Sequence, residues 1–405
     1  MTNGPAELQT WLDARAEQMA ELLEALIAID SENPPGRGLG RCGRLLRDAM
    51  TRLELAPELI ELPAAGALEE PCIVRGSAGA GAGAGTVYFH GHFDVVPAQA
   101  REQFRPQRAD GRITGRGSAD MKGGLVSMLY GAAAARDLGL LDGKRIVVHL
   151  VCDEETGSVA GSGHLRDAGL IDAGALAMLT AEPTGGVVWH ASRGAITLRV
   201  EVEGRSAHVG QAHLGSNAFT QMLQIAEPLA DLAHELLARR TLHPVASEEA
   251  RGSVLVVGGA SGSGANFNAV PGAAWFSVDR RFNPEEDLDE ELARLTTTIE
   301  SAAARAGARV GIDVLQRQPS AGTSAEHPAA GALARCAEAV EGEPPRFELC
   351  PGVLETRWYA QLGIPAFAYG AGRLDVSHGP GEYIEEAAMR RCAAVYALFA
   401  GELAG

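Results

Sequence analysis

The spacing of apolar residues divides the chain into three stretches. In the first, Leu8, Trp11, Leu12, Met19, Leu22, Leu23 and Leu26 recur at helical spacing and predict one amphipathic helix over 7–29. Asp30-Ser-Glu-Asn-Pro-Pro-Gly36 stops it. A second helix is expected over 40–53 and a third over 125–135. Continuous apolar runs at 73–74, 87–89, 145–151 and 175–180 read as buried strands. From about residue 192 the texture changes. Residues 195–202 alternate apolar and polar, the pattern of a half-exposed antiparallel strand. Strands at 252–257 and 274–279 with helices at 218–238 and 285–306 complete an α+β sandwich. After about residue 319 the first texture returns, with helices at 329–339 and 387–399 around a short strand at 366–369. The chain therefore predicts an α/β domain built from 1–191 and 320–405, with a separate domain inserted at 192–319. Its 405 residues exceed one ordinary core, which agrees with that division.

Composition narrows the picture. Aromatic residues are only 5%, so the core is aliphatic. No apolar run approaches bilayer length. A net charge of -17 argues against nucleic acid or an anionic membrane as partner. Residues 1–23 carry acids and lack a basic-then-apolar leader pattern, which predicts a cytoplasmic protein. Six scattered cysteines include no Cys-x-x-Cys, so reduced thiols are expected. The Gly-Ala run at 76–85 lacks the Lys-Ser/Thr ending of a phosphate loop and reads as a hairpin tip.

The chemistry lies where the apolar runs end. The 87–89 run stops on His90-Gly-His-Phe-Asp94. That places an imidazole and a carboxylate at the carboxyl end of a sheet strand, where open α/β sheets bind ligands. Asp94 can hold one ring nitrogen of His92 and leave the other free for a metal. The 145–151 run ends in Asp153-Glu-Glu155, and acids in that position are costly without a cation. Glu182 ends the fourth run. Asp120 stands in a glycine-rich turn before a helix, and His378 in a late Gly-Pro loop. Two imidazoles and three carboxylates, with one carboxylate to spare, suit two zinc-like ions sharing a bridge. Such a pair activates a bridging water and polarises a carbonyl. The spare carboxylate takes the proton. Spacing alone leaves open which of Glu154 and Glu155 is base and which is ligand.

Taken together these segments resemble the M20 metallopeptidase family, the group of acetylornithine deacetylase, succinyl-diaminopimelate desuccinylase and glutamate carboxypeptidase. The resemblance rests on eight segments in the family's order. They are Ser31-Glu-Asn-Pro-Pro-Gly36, Gly91-His-Phe-Asp-Val-Val-Pro97, Gly115-Arg-Gly-Ser-Ala-Asp-Met-Lys-Gly123, Asp153-Glu-Glu155, Glu182-Pro183, Gly204-Arg-Ser-Ala-His208, Asn268-Ala-Val-Pro271 and Ser377-His378. It implies a mixed-sheet, dinuclear-zinc peptidase domain carrying a ferredoxin-like lid and dimerisation domain. The cofactors implied are two divalent ions, zinc first, with cobalt or manganese as alternatives. His92 and Glu182 are implied to hold one ion, Glu155 and His378 the other, and Asp120 to bridge. Asp94 orients His92, and Glu154 is the general base. The peptide after the bridging aspartate is often cis in the family. His208 is implied to cross a homodimer and stabilise the oxyanion. Asn268, Arg281 and Arg357 fall where relatives bind or face the substrate. One segment departs: Gly352-Val-Leu-Glu-Thr-Arg357 keeps the arginine, but Glu355 stands for an aspartate and Leu354 for a small hydroxyl residue.

The expected activity is metal-dependent hydrolysis of the amide of a small N-acyl amino acid. A dipeptidase or carboxypeptidase acting on short peptides is the alternative within the family. A metal-binding relic that has lost catalysis is the alternative outside it, and a base beside a full ligand set argues against that.

Overall fold

Buried apolar runs lie side by side in a mixed sheet of nine strands, and their order sets the geometry of everything that follows. The computed structural model describes residues 5–63, 66, 68–81 and 85–403. The middle of the Gly-Ala run, 82–84, lies outside them. The sheet begins Glu58–Glu61, Cys72–Gly79, Arg145–Val151, Thr86–His92, Ala177–Thr180, Ala366–Ala368 and Val188–Ser192. Thr86–His92 runs parallel to both Arg145–Val151 and Ala177–Thr180, and Ala366–Ala368 continues parallel beyond it. The register sets His92 opposite Val151 and His90 opposite Thr180. The three chains therefore leave the sheet at one level, with His92, Asp153–Glu155 and Glu182 just at or beyond that edge. All seven residues of Thr86–His92 are buried, as a strand covered on both faces requires.

One cover is the helix Gly123–Asp137, buried continuously from Gly123 to Ala135. A helix apolar all round belongs inside a domain. A Cβ on Gly131 would stand 2.7 Å from the Ala393 carbonyl, so only glycine lets Glu386–Glu402 pack this closely. The helix expected over 7–29 is two helices, Pro5–Asp13 and Ala16–Ile27. Arg15 leaves helical dihedrals (φ −117°, ψ 7°), and its N–H donates to Leu12 O, three residues back. Its guanidinium lies 3.7 Å over the Trp11 ring and donates to the Trp11 carbonyl. Among the described residues no helix is long and apolar enough to cross a membrane. Among the described residues no cysteine forms a disulfide, and all six are buried.

The chain forms two compact units. The first runs up to His190 and resumes at Gly322–Glu348 and from Glu355; the second comprises Ala191–Ala321 and Leu349–Leu354. The second is a four-stranded antiparallel sheet ordered Val254–Ser263, Ala273–Phe282, Gly194–Glu203, Arg309–Gln318. Helices Ala218–Leu237 and Leu288–Ala306 pack on it, giving the ferredoxin-like arrangement. Arg309–Gln318 has no counterpart among the expected strands. It is an edge strand rich in charged and polar residues, which blunts pairing at an edge and weakens the apolar alternation.

Candidate metal centre

Each acid and imidazole expected at the first unit's site is fixed by its backbone. His92 is the last residue of its strand. Its Nδ1 lies 3.0 Å from the backbone carbonyl of Asp94, and 3.4 Å from the Asp94 carboxylate. That carboxylate mainly serves the neighbouring turn. It accepts from Glu154 N (3.2 Å), Glu155 N (3.1 Å) and Asn33 Nδ2 (3.0 Å). Asp94 thus ties the strand end that carries His92 to the acid pair.

Asp120 stands in the turn after Gly117, a glycine at φ 81°, and the Asp120–Met121 peptide is cis. An N-cap role is the bland expectation for such an aspartate. The turn's amides are satisfied instead by Glu382, a residue that periodicity did not single out. Glu382 accepts from Gly117 N, Ala119 N and Asp120 N, each at 3.0 Å, and from Arg116 Nη1 at 2.6 Å. Arg116 also donates to the His378 carbonyl (3.2 Å), which accepts from Gln99 Nε2 as well (3.0 Å). One bracket therefore holds the loops of Asp120 and His378 together. The only signal for it is an acid at the end of the Gly-Pro loop, four residues after His378.

The side-chain atoms gather in overlapping sets, each spanning no more than 4.8 Å between donors. One set is His92, Asp120 and Glu182; another is Asp120, Glu155 and His378. Asp120 belongs to both through different oxygens. Its Oδ1 faces His92 Nε2 at 3.3 Å, and its Oδ2 faces His378 Nε2 at 3.2 Å. Glu155 Oε1 is 3.6 Å from the same His378 nitrogen. Glu154 joins His92 and Glu155 in a third set but belongs to neither of the two that share Asp120.

The buried atoms test whether these residues fit ions. His92 Nε2, Asp120 Oδ1 and Glu182 Oε1 are buried without a hydrogen-bond partner. Orphaned polar atoms cost free energy. Three that converge, one imidazole nitrogen and two carboxylate oxygens, make a donor set suited to a zinc-like cation. The residues present therefore fit divalent ions, and Asp120 lies in two of the candidate sets.

Charge crowding points the same way. Burial, then the charges of Glu155 and Glu182, holds Glu154 well above the usual carboxylate range. Burial pushes Glu182 up to about 8. Asp120, although buried, is held low by His378 and His92. Asp120 and Glu155 push His378 up to about 10, and His92 is raised against its burial by Asp120 and Asp94. Groups held as high as His378 and Glu182 bind protons at pH 7, so a cation that takes their place must displace them. We expect zinc titrations at pH 7 to release protons, with heats that depend on the buffer's ionisation enthalpy. Apparent affinity should rise about tenfold per pH unit for each proton displaced. Buffer-independent heats and a flat affinity between pH 6 and 8 would contradict this charge pattern.

Arg357 is also in this unit. Its side chain is 1% exposed and is turned onto the acid turn. It donates to the Gly157 carbonyl (3.2 Å) and lies 3.7 Å from Glu355.

The second unit holds the remaining expected residues. His208 pairs with Ala269 in a short antiparallel ladder, and Val209 N donates to the Asn268 carbonyl (3.0 Å), so the ladder brings His208 and Asn268 side by side. Both are exposed. His208 Nδ1 accepts from Gly210 N (3.1 Å). Arg280 and Arg281, neighbours in sequence, have opposite fates. Arg280 is fully buried against Glu286 and Glu291. Arg281 is half-buried and grips Asp279 with two nitrogens, at 2.8 and 3.2 Å.

Comparison with known proteins agrees with this geometry. The chain is 27% identical over 303 residues to succinyl-diaminopimelate desuccinylase of Corynebacterium glutamicum, covering 73% of this chain and 75% of that one. It is 28% identical over 334 residues to acetylornithine deacetylase of Myxococcus xanthus, covering 82% and 83%. Its fold superposes on a dinuclear metal-binding peptidase of the M20 family from Bacillus subtilis with a TM-score of 0.69, at 15% identity over 96% of this chain and 98% of that one. The family model for peptidase family M20/M25/M40 matches residues 88–402. A match running from the strand that carries His92 to the last helix leaves one conclusion: the chain belongs to peptidase family M20/M25/M40, whose members hydrolyse amide bonds.

Proposed function

We propose that this protein hydrolyses the amide bond of small N-acyl amino acids in the cytoplasm, with two divalent ions, zinc first, at the first unit's site. The observation that carries the reading is the division of labour among the carboxylates. Asp120 offers one oxygen to each of two donor sets, and Glu154 remains outside both. In this reading His92 and Glu182 would hold one ion and Glu155 and His378 the other, with Asp120 offering an oxygen to each set. Bound ions supply Lewis-acid chemistry, polarising the scissile carbonyl and making a water acidic. Glu154 takes the proton of the attacking water as its oxygen bonds to the carbonyl carbon. The C–N bond then breaks, and Glu154 returns the proton to the leaving amine. Asp94 keeps the imidazole of His92 and the amides of Glu154 and Glu155 in place. Arg281 and Asn268 serve the substrate carboxylate, for which a guanidinium fork is suited; Arg357, buried against the acid turn, belongs to the first unit's site.

The names of the similar enzymes, a desuccinylase and a deacetylase, favour an N-acyl amino acid over a peptide. The deciding experiment is a panel of N-acetyl and N-succinyl amino acids and dipeptides offered to zinc- and cobalt-loaded protein. N-acyl amino acids should turn over fastest. Faster cleavage of dipeptides would replace this reading with a dipeptidase.

The reading includes a homodimer joined through the second unit, with His208 of one subunit serving the partner's oxyanion. His208→Ala should then lower kcat by about 10²–10³-fold, as loss of an oxyanion donor does. Mixing it with Glu154→Ala should restore about a quarter of wild-type activity, because half the dimers are hybrids and each has one intact site. A monomer by sedimentation, or no recovery on mixing, would remove this part.

A further inference from the structure

Glu355, the residue that departs from the family pattern, is fully buried and surrounded by donors. Its Oε2 accepts from His90 Nε2 (2.6 Å) and from Ser162 Oγ. Its Oε1 accepts from Trp358 Nε1 (3.2 Å) and lies 3.7 Å from Arg357 Nη2. Only an all-acceptor group satisfies such a ring. An amide would turn an NH₂ onto another donor, and an aspartate is one methylene shorter.

Two of these donors, His90 and Ser162, come from the two pieces of chain that carry His92 and the acid pair. His90 lies two residues before His92 on the same strand, so the two side chains share a face. Its ring is fixed at both ends. With Nε2 donating to Glu355, its Nδ1 accepts from the Tyr359 hydroxyl (3.0 Å), which accepts in turn from His149 Nδ1 (2.9 Å). His149 faces His90 across the adjacent strand. Ser162 lies in the turn that follows the acid pair. The Asp153 carboxylate ties that turn back by accepting from Ala160 N (2.7 Å) and Gly161 N (2.9 Å).

We propose that Glu355 is a positioning residue for the metal centre. Its carboxylate fastens the strand end before His92 to the turn behind Glu154 and Glu155, and so sets their spacing before any ion arrives. This rests on the metal-site reading above. Glu355 itself belongs to none of the three candidate donor sets.

Three proteins test it: wild type, Glu355→Gln, and Tyr359→Phe, which removes only the hydroxyl between His90 and His149. Zinc affinity is read by competition with a chromogenic chelator, and coordination geometry by the visible spectrum of the cobalt form. Glu355→Gln should bind zinc about 10–100-fold more weakly, the range for loss of a group that orients ligands. Its cobalt bands should shift, and kcat should fall more than KM changes. Tyr359→Phe should move the same way by less, and it decides the matter if Glu355→Gln does not fold. Wild-type zinc affinity and an unchanged cobalt spectrum in the folded variants, even with a lower melting temperature, would reduce Glu355 to a packing role. Wild-type protein that binds no zinc would instead overturn the metal reading, and this proposal with it.

Discussion

Replacing Glu154 by alanine is expected to lower kcat by about 10²–10⁴-fold while two equivalents of zinc stay bound. The expectation follows from where Glu154 stands. It is within reach of His92 and Glu155 but outside both sets that share Asp120, so its loss leaves those sets complete. Burial and neighbouring acids raise its affinity for protons, which suits a group that must take one from water and release it to an amine. Glu154→Gln keeps the shape and removes the basicity, so it should be as inactive as the alanine variant. Near-normal turnover in either protein would end the assignment of Glu154 as base. Loss of zinc would move it among the ligands.

The second large effect concerns Asp120. Asp120→Ala should abolish detectable turnover and leave less than one zinc per chain after gel filtration. Only Asp120 belongs to both donor sets that hold His378 or Glu182. Removing it takes one oxygen from His92 and Glu182 and the other from Glu155 and His378. His378→Ala takes a donor from one set only, so it should keep about one tightly held zinc, as an intact three-donor set allows. Two zincs retained in Asp120→Ala would show that the ions do not share this carboxylate.

Much of the candidate site is legible in the sequence because its acids and imidazoles sit where apolar runs stop. His92, Glu154, Glu155 and Glu182 each follow a buried strand, and parallel pairing in register brings them to one edge. The two-unit architecture was likewise visible as a change from continuous to alternating apolar positions. What the sequence hid is held by contacts between distant residues. Glu382 serves the Asp120 turn across 262 residues, and no local period encodes that pairing. The His90–Glu355 contact spans 265 residues, and His90 reads only as a histidine inside a strand. Arg280 and Arg281 are adjacent and equivalent by eye. The two carboxylates that take Arg280, Glu286 and Glu291, decide between them. The break between the first two helices is decided by Arg15 and Trp11, which a helical period treats as ordinary surface residues.

The bracket of Arg116, Glu382 and His378 has a consequence for synthesis of the chain. Translation produces the strands, the acid pair and the Asp120 turn early, yet Glu382 comes near the carboxyl end and the turn waits for it. A nascent chain can present His92, Asp120 and Glu182 long before His378 exists. Because Glu382 follows His378, the turn of Asp120 and the loop of His378 are fixed together, and a premature stop before residue 382 would leave the turn's amides without their acceptor.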